Sequence, residues 1–134
     1  MAQDPRPEVI VEFLFADGVF HISVRNIGEK PALKISVRFD KKIFGAGGRK
    51  EISALPLFRN IEFLGPQREI ITFLDHSSSY FLGRQPTTIL AKISYRDALQ
   101  NKFEETISHD LEIYRELPYV SRPLSGPGCE RQDS

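Results

Sequence analysis

Between Val19 and Asp40 the chain alternates apolar and polar positions in two successive runs. Phe20, Ile22 and Val24 fall on one face of a two-residue repeat, and His21, Ser23 and Arg25 fall on the other. Leu33, Ile35, Val37 and Phe39 then alternate with Lys34, Ser36, Arg38 and Asp40. A period of two is the mark of a β-strand with one face buried and one wet. Upstream, Glu8–Phe15 repeats the pattern with Val9, Val11, Phe13 and Phe15 on one side, and Ala16-Asp17-Gly18 supplies a tight turn. Asp-Gly suits the positive φ of a hairpin turn, so this first strand is expected to run antiparallel to Val19–Arg25. The longer loop Asn26–Pro31 predicts an arch rather than a hairpin, with Ile27 plugging one end of the core and the small Ala32 allowing close packing where the next strand starts.

Further along, the alternation is less regular. Lys41–Lys50 holds the glycine-rich FGAGGRK and is expected to be a flexible edge loop. A phosphate-binding loop needs different spacing and a Ser or Thr after the lysine. Pro56 removes a ladder donor, so Ser53–Phe58 reads as an edge strand or an irregular crossing, and Arg59–Leu64 as a strand. Glu69–Asp75 is a strand apolar on both faces, Ile71 and Phe73 against Ile70 and Leu74. One of those sets needs a cover, which is either the Ser77–Gln85 loop with Tyr80 and Phe81 or another molecule. Thr87–Arg96 predicts a strand with Ile89, Ala91, Ile93 and Tyr95 inward, and Asp97–Asn101 a connection. Lys102–Tyr114 returns as the last long strand, with Glu105 and His109 on its nominally apolar side, explained by a bulge or by exposed strand ends.

The run VRNIGEKPALKISVRFD resembles the N-x-G-x-x-x-A arch of bacterial immunoglobulin-like β-sandwich modules, including the cell-adhesion-related domains, with Asn26, Gly28 and Ala32 in the arch positions. Tyr95-Arg96-Asp97 stands where such modules end a late strand in Tyr-x-Asp. The resemblance implies a binding or spacer module and carries over no catalytic residue. Together with the periodicity it predicts an all-β fold, a single immunoglobulin-like antiparallel β-sandwich of about seven strands. The sandwich is expected over residues 8–114, between a flexible lead-in at 1–7 and a largely disordered, Pro-, Gly- and Ser-rich tail at 115–134.

At 134 residues the chain can bury a full core without a staple. Basic and acidic residues both number 18, so no global field draws nucleic acid, although a neutral total leaves room for a local basic patch. The single cysteine, Cys129, cannot form an intrachain disulfide. No apolar run approaches a membrane span, and the N-terminus lacks a secretory pattern. The expectation is a soluble chain, cytoplasmic rather than extracytoplasmic unless a signal or anchor precedes it.

Catalytic chemistry is poorly supported. Asp75, His76 and Ser77 are adjacent in sequence, which does not make them converge in space, and no nucleophile elbow accompanies them. His21, His76 and His109 lack paired ligand spacing, so no metal or other cofactor is expected. The expected function is non-catalytic protein interaction, with a protein partner or a second copy held by Leu57, Phe58, Ile70, Leu74, Tyr80 and Phe81. The alternative is small-ligand or glycan binding at a loop end built from Asn26–Pro31, Asp75–Ser79 and Asp97–Asn101, with Tyr80 and Tyr95 as stacking platforms.

Overall fold

Asp17 and Gly18 both take left-handed backbone angles, φ 53° and 74°. They close a two-residue hairpin between β1 (Val9–Ala16) and β2 (Val19–Asn26), paired antiparallel from Ala16 opposite Val19 to Val9 opposite Asn26. The computed structural model describes residues 5–117; most of the expected tail, with Cys129, lies outside the described residues. Val9, Val11, Phe13 and Phe15 point inward, as do Phe20, Ile22 and Val24. Each such side chain contributes roughly 1.5–3 kcal/mol on burial.

The arch carries the chain to a second sheet. β3 (Ala32–Phe39) lies between β6 (Ile61–Leu64) and β8 (Thr88–Arg96), and β9 (Lys102–Asp110) extends that sheet beyond β8. β7 (Glu69–His76) returns to pair with β2, giving a three-stranded sheet β1-β2-β7 and a four-stranded sheet β6-β3-β8-β9. All pairings are antiparallel. The two sheets share one core: Phe13 of β1 meets Phe39 of β3 edge-on at 6.3 Å, and His109 of β9 at 4.9 Å.

Asn26, rather than Ile27, fills the arch end. Ile27 is 37% exposed, whereas Asn26 is fully buried and uses both ends of its amide. Its Oδ1 accepts from the backbone N–H groups of Gly28 and Glu8, at 2.9 and 3.2 Å. Its Nδ2 donates to the carbonyls of Lys30 and Leu64, at 2.8 and 3.1 Å. A buried amide satisfied on both sides repays its desolvation, which an aliphatic plug could not do for the surrounding backbone. The same knot holds Arg6, since Glu29 N–H donates to its carbonyl at 3.1 Å. A Cβ on Gly28 would lie 2.3 Å from that same Arg6 oxygen, so the close crossing requires glycine.

Two irregularities break the expected alternation. Lys34 takes φ 51°, and the β3–β8 register slips between Leu33 and Ser36. The bulge turns Ala32 and Ile35 inward and leaves Leu33 only half-buried. On β7 the register against β2 slips between Phe20 and His21, and both Leu74 and Asp75 become buried. β9, by contrast, has no bulge. Glu105 and His109 lie opposite Ile93 and Ile89 in strict register on an edge strand.

The middle of the chain is more structured than its sequence suggests. β4 (Phe44–Gly45) and β5 (Lys50–Glu51) form a small hairpin instead of a flexible loop. It is tied to β7 by Ala46 N–H to Leu74 O at 2.9 Å and by Gly47 N–H to the Asp75 carboxylate at 3.2 Å. Ser53–Phe58 is neither strand nor open crossing. A 3-10 turn at Ile52–Ala54 leads into the one-turn helix α1 (Pro56–Arg59), started by proline at its first position, and Phe58 packs edge-on to Phe39 at 5.1 Å. The six-residue α2 (Ser77–Leu82) sets Tyr80 and Phe81 edge-on to Phe20 at 5.5 and 5.8 Å, closing the end of the core opposite the arch. The last strand ends at Asp110, and a 3-10 turn at Leu111–Tyr114 buries Leu111 and stacks Tyr114 on Phe15 at 5.0 Å.

Candidate functional site

The doubly apolar strand is the edge of its sheet. β7 pairs with β2 alone, and its far side from Glu69 to Phe73 faces no other strand among the described residues. Register assigns its faces. Ile70 and Thr72 lie beside Val24 and Ile22 on the core side, and Ile71 and Phe73 beside Ser23 and His21 on the outside. Ile71 is 50% exposed, Phe73 41% and Ile70 36%. Half-buried Leu14 of β1 continues the outer row through His21 to Phe73, whose ring stands edge-on to His21 at 6.0 Å and to His76 at 5.8 Å. Polar order adjoins this row, where Ser23 Oγ donates to Glu69 Oε2 at 2.7 Å.

The six residues expected to bind a partner do not share a surface. Phe58, Leu74 and Tyr80 are buried in the core, and Leu57 and Phe81 are partly buried against it. Ile70 alone is exposed. α2 therefore covers the end of the core and leaves the outer face of β7 open. Ile71 and Phe73, the apolar set passed over among the expected binding residues in favour of Ile70 and Leu74, are the side chains that face solvent on the outer face of β7. The bulge at Leu74 separates them from it, and no composition signal marks that bulge.

The remaining candidates also fall apart in space. Antiparallel pairing puts Asn26–Pro31 and Asp97–Asn101 at one end of the sheets, since Leu33 lies opposite Arg96. Asp75–Ser79 lies at the other end, where Asp75 is opposite Phe20. Tyr80 and Tyr95 are buried, so neither offers a stacking platform. Tyr95 Oη donates to Glu105 Oε2 at 2.9 Å, and burial together with that carboxylate pushes its pKa up to about 12. Asp75 is buried and accepts backbone N–H bonds from Gly47 and His76, while His76 is exposed, so the Asp-His-Ser run builds no catalytic relay. Among the described residues no three of His, Cys, Asp and Glu gather to hold a metal ion, and no helix is long and apolar enough to cross a membrane.

His109 is the histidine whose titration the fold shifts. It lies in a shallow cleft between β1 and β9 with Val11, Glu12, Phe13 and Ile107. Burial lowers its pKa below the ordinary 6.5, against an opposing backbone contact to Val11, and its Nε2 has no hydrogen-bond partner.

The family model of a domain of unknown function, DUF8453, matches residues 1–115. The chain belongs to this family. No curated protein and no solved structure matches it. The DUF8453 match spans every strand described above, including the exposed β7 edge, and stops within the segment that follows β9.

Proposed function

We propose that the chain is an immunoglobulin-like β-sandwich of seven principal strands that works as a non-catalytic protein-interaction module, taking a partner strand along β7. The three-plus-four strand arrangement and the arch that crosses between the sheets support the fold reading. The single observation that carries the interaction reading is the unguarded β7 edge, with Ile70, Ile71 and Phe73 exposed and no charged residue or proline between Glu69 and Asp75. Stable proteins blunt their edges with charge, proline or shortness. The other edges here do so: β6 is four residues long with Glu62 ion-paired to Lys34, β9 carries Lys102, Glu104, Glu105 and Asp110, and β1 carries Glu12.

A second copy is the partner that fits most simply. Antiparallel pairing of β7 with itself about Ile71 sets Ile71 opposite its counterpart and Phe73 opposite Glu69, an isologous contact that continues the sheet by strand addition. Light scattering after size exclusion, from low micromolar to near-millimolar chain, tests this. The expected result is a dimer that the double variant Ile71→Lys, Phe73→Lys converts to monomer with unchanged circular dichroism, because both side chains are surface groups. A wild-type chain that stays monomeric throughout, or a variant that still dimerises, would overturn the contact.

A further inference from the structure

Arg38 of β3 and Lys92 of β8 stand directly opposite each other on the outer face of the four-stranded sheet. Like charges in that position repel and work against the pairing. Neither lies within ion-pair distance of a carboxylate among the described residues, where Lys34–Glu62 and Arg115–Glu112 are the pairs formed. Arg38 also borders a groove of about 550 Å³ between β3 and the segment containing α1. Lys41, Lys42 and Arg59 line the same groove, Ser36 and Ser53 add hydroxyls, and the buried Phe58 gives it an apolar wall. A smaller depression of about 90 Å³ that shares Ser36 and Arg38 reaches Lys92 and Glu104.

The charge is local. The chain is neutral as a whole, yet the stretch from Lys34 to Arg59 holds seven basic residues and two acidic ones. Those two carboxylates face the groove, and each is engaged by the protein: Asp40 accepts from Leu90 N–H at 2.9 Å and Glu51 from Ser53 Oγ at 3.3 Å. The cations are less committed. Lys41 Nζ donates to the Thr88 carbonyl, and Arg38, Lys42 and Arg59 make no side-chain hydrogen bond among the described residues.

We infer that this groove binds a small ligand bearing phosphate, with Arg38 and Arg59 as forked donors and Lys42 as a supporting charge, Lys92 standing beside Arg38 in the adjoining depression. Guanidinium groups match the paired oxygens of a phosphate, and several cations about one concavity call for a multiply charged group. The volume lies in the range of small-molecule sites. The glycine run takes no part, because the Ala46 and Gly47 amides are spent on β7. The same phosphate chemistry is available from a free organic phosphate or from a lipid headgroup.

Calorimetric titration of the full chain with sodium pyrophosphate, beside flotation with vesicles containing a phosphoinositide or phosphatidylcholine alone, tests the site and separates the sources. Saturable, salt-weakened pyrophosphate binding is expected, with a loss of about tenfold or more in Arg38→Gln, Arg59→Gln. Lys102→Gln, on the same sheet outside the groove, should leave the affinity within about twofold. Phosphoinositide-specific flotation that the double variant loses assigns the headgroup as the source; pyrophosphate binding without flotation assigns a free phosphate. The thermal midpoint of the ligand-free double variant should match or exceed that of the wild type, since the substitutions remove repulsion. Binding of neither probe, binding only of a long polyanion such as duplex DNA, or an equal loss in Lys102→Gln would overturn the inference.

Discussion

Asn26 is the residue on which the arch depends. Replacing it by alanine leaves two backbone donors and two carbonyls without their partner, the Gly28 N–H and the Leu64 carbonyl in fully buried bonds. Asn26→Ala should cost about 2–3 kcal/mol, read as a lower urea midpoint, while Asn60→Ala, at an exposed position, should leave the midpoint nearly unchanged. From sequence Asn26 was legible as a turn former and as a position of the arch motif, but not as the buried plug. Its partners at Glu8 and Leu64 are remote in the chain, and periodicity carries no information about them. His109 adds a pH dependence whose sign follows from its environment. Its folded pKa is depressed, so the unfolded chain binds the proton more readily. The stability is therefore complete above the unfolded value of 6.5 and falls as pH drops below it. Urea midpoints measured between neutral and mildly acidic pH should decline more steeply in the wild type than in His109→Phe; parallel profiles would exclude His109 as the source.

At the scale of elements, the strands with clean alternation were legible because each has one wet face. β1, β2 and β8 bury the residues their patterns assign. The two bulges were not, since a single residue such as Lys34 in the left-handed region changes which side chains turn inward without leaving a compositional trace. For the same reason the apolar excess on β7 was readable, whereas its division into buried Leu74 and exposed Ile71 and Phe73 was not. The basic groove was hidden differently. Its cations come from β3, the following loop and α1, and the Arg38–Lys92 juxtaposition exists only once β3 and β8 are in register. α1 and α2 are too short for helical periodicity to register. The β4–β5 hairpin offers a test at this scale, because a Cβ on Gly45 would meet Leu74 O at 2.0 Å. Gly45→Ala should push the hairpin off β7, costing about 2 kcal/mol, with faster hydrogen exchange at the Ala46 and Gly47 amides. Unchanged exchange there would mean that the hairpin accommodates the methyl group without leaving β7.

Across the whole molecule, the arch pole and the α2 pole carry different equipment. The first is a hydrogen-bonded knot about Asn26, and the second an aromatic cluster in which Phe20 touches Tyr80, Phe81 and Tyr114. Between them, the exposed edge of β7 and the basic groove beside β3 belong to different sheets. The path of the backbone gives this arrangement a mechanical side. Arg6 and Glu8 are fastened at the arch pole, while Leu117 lies beside Asp17 and Gly18 at the opposite one. Tension applied between those points runs along β1 and β9 instead of across them, loading the β1–β2 and β8–β9 ladders in shear. Their hydrogen bonds then share the load together, so a pull along this axis does not peel the ladders open one rung at a time.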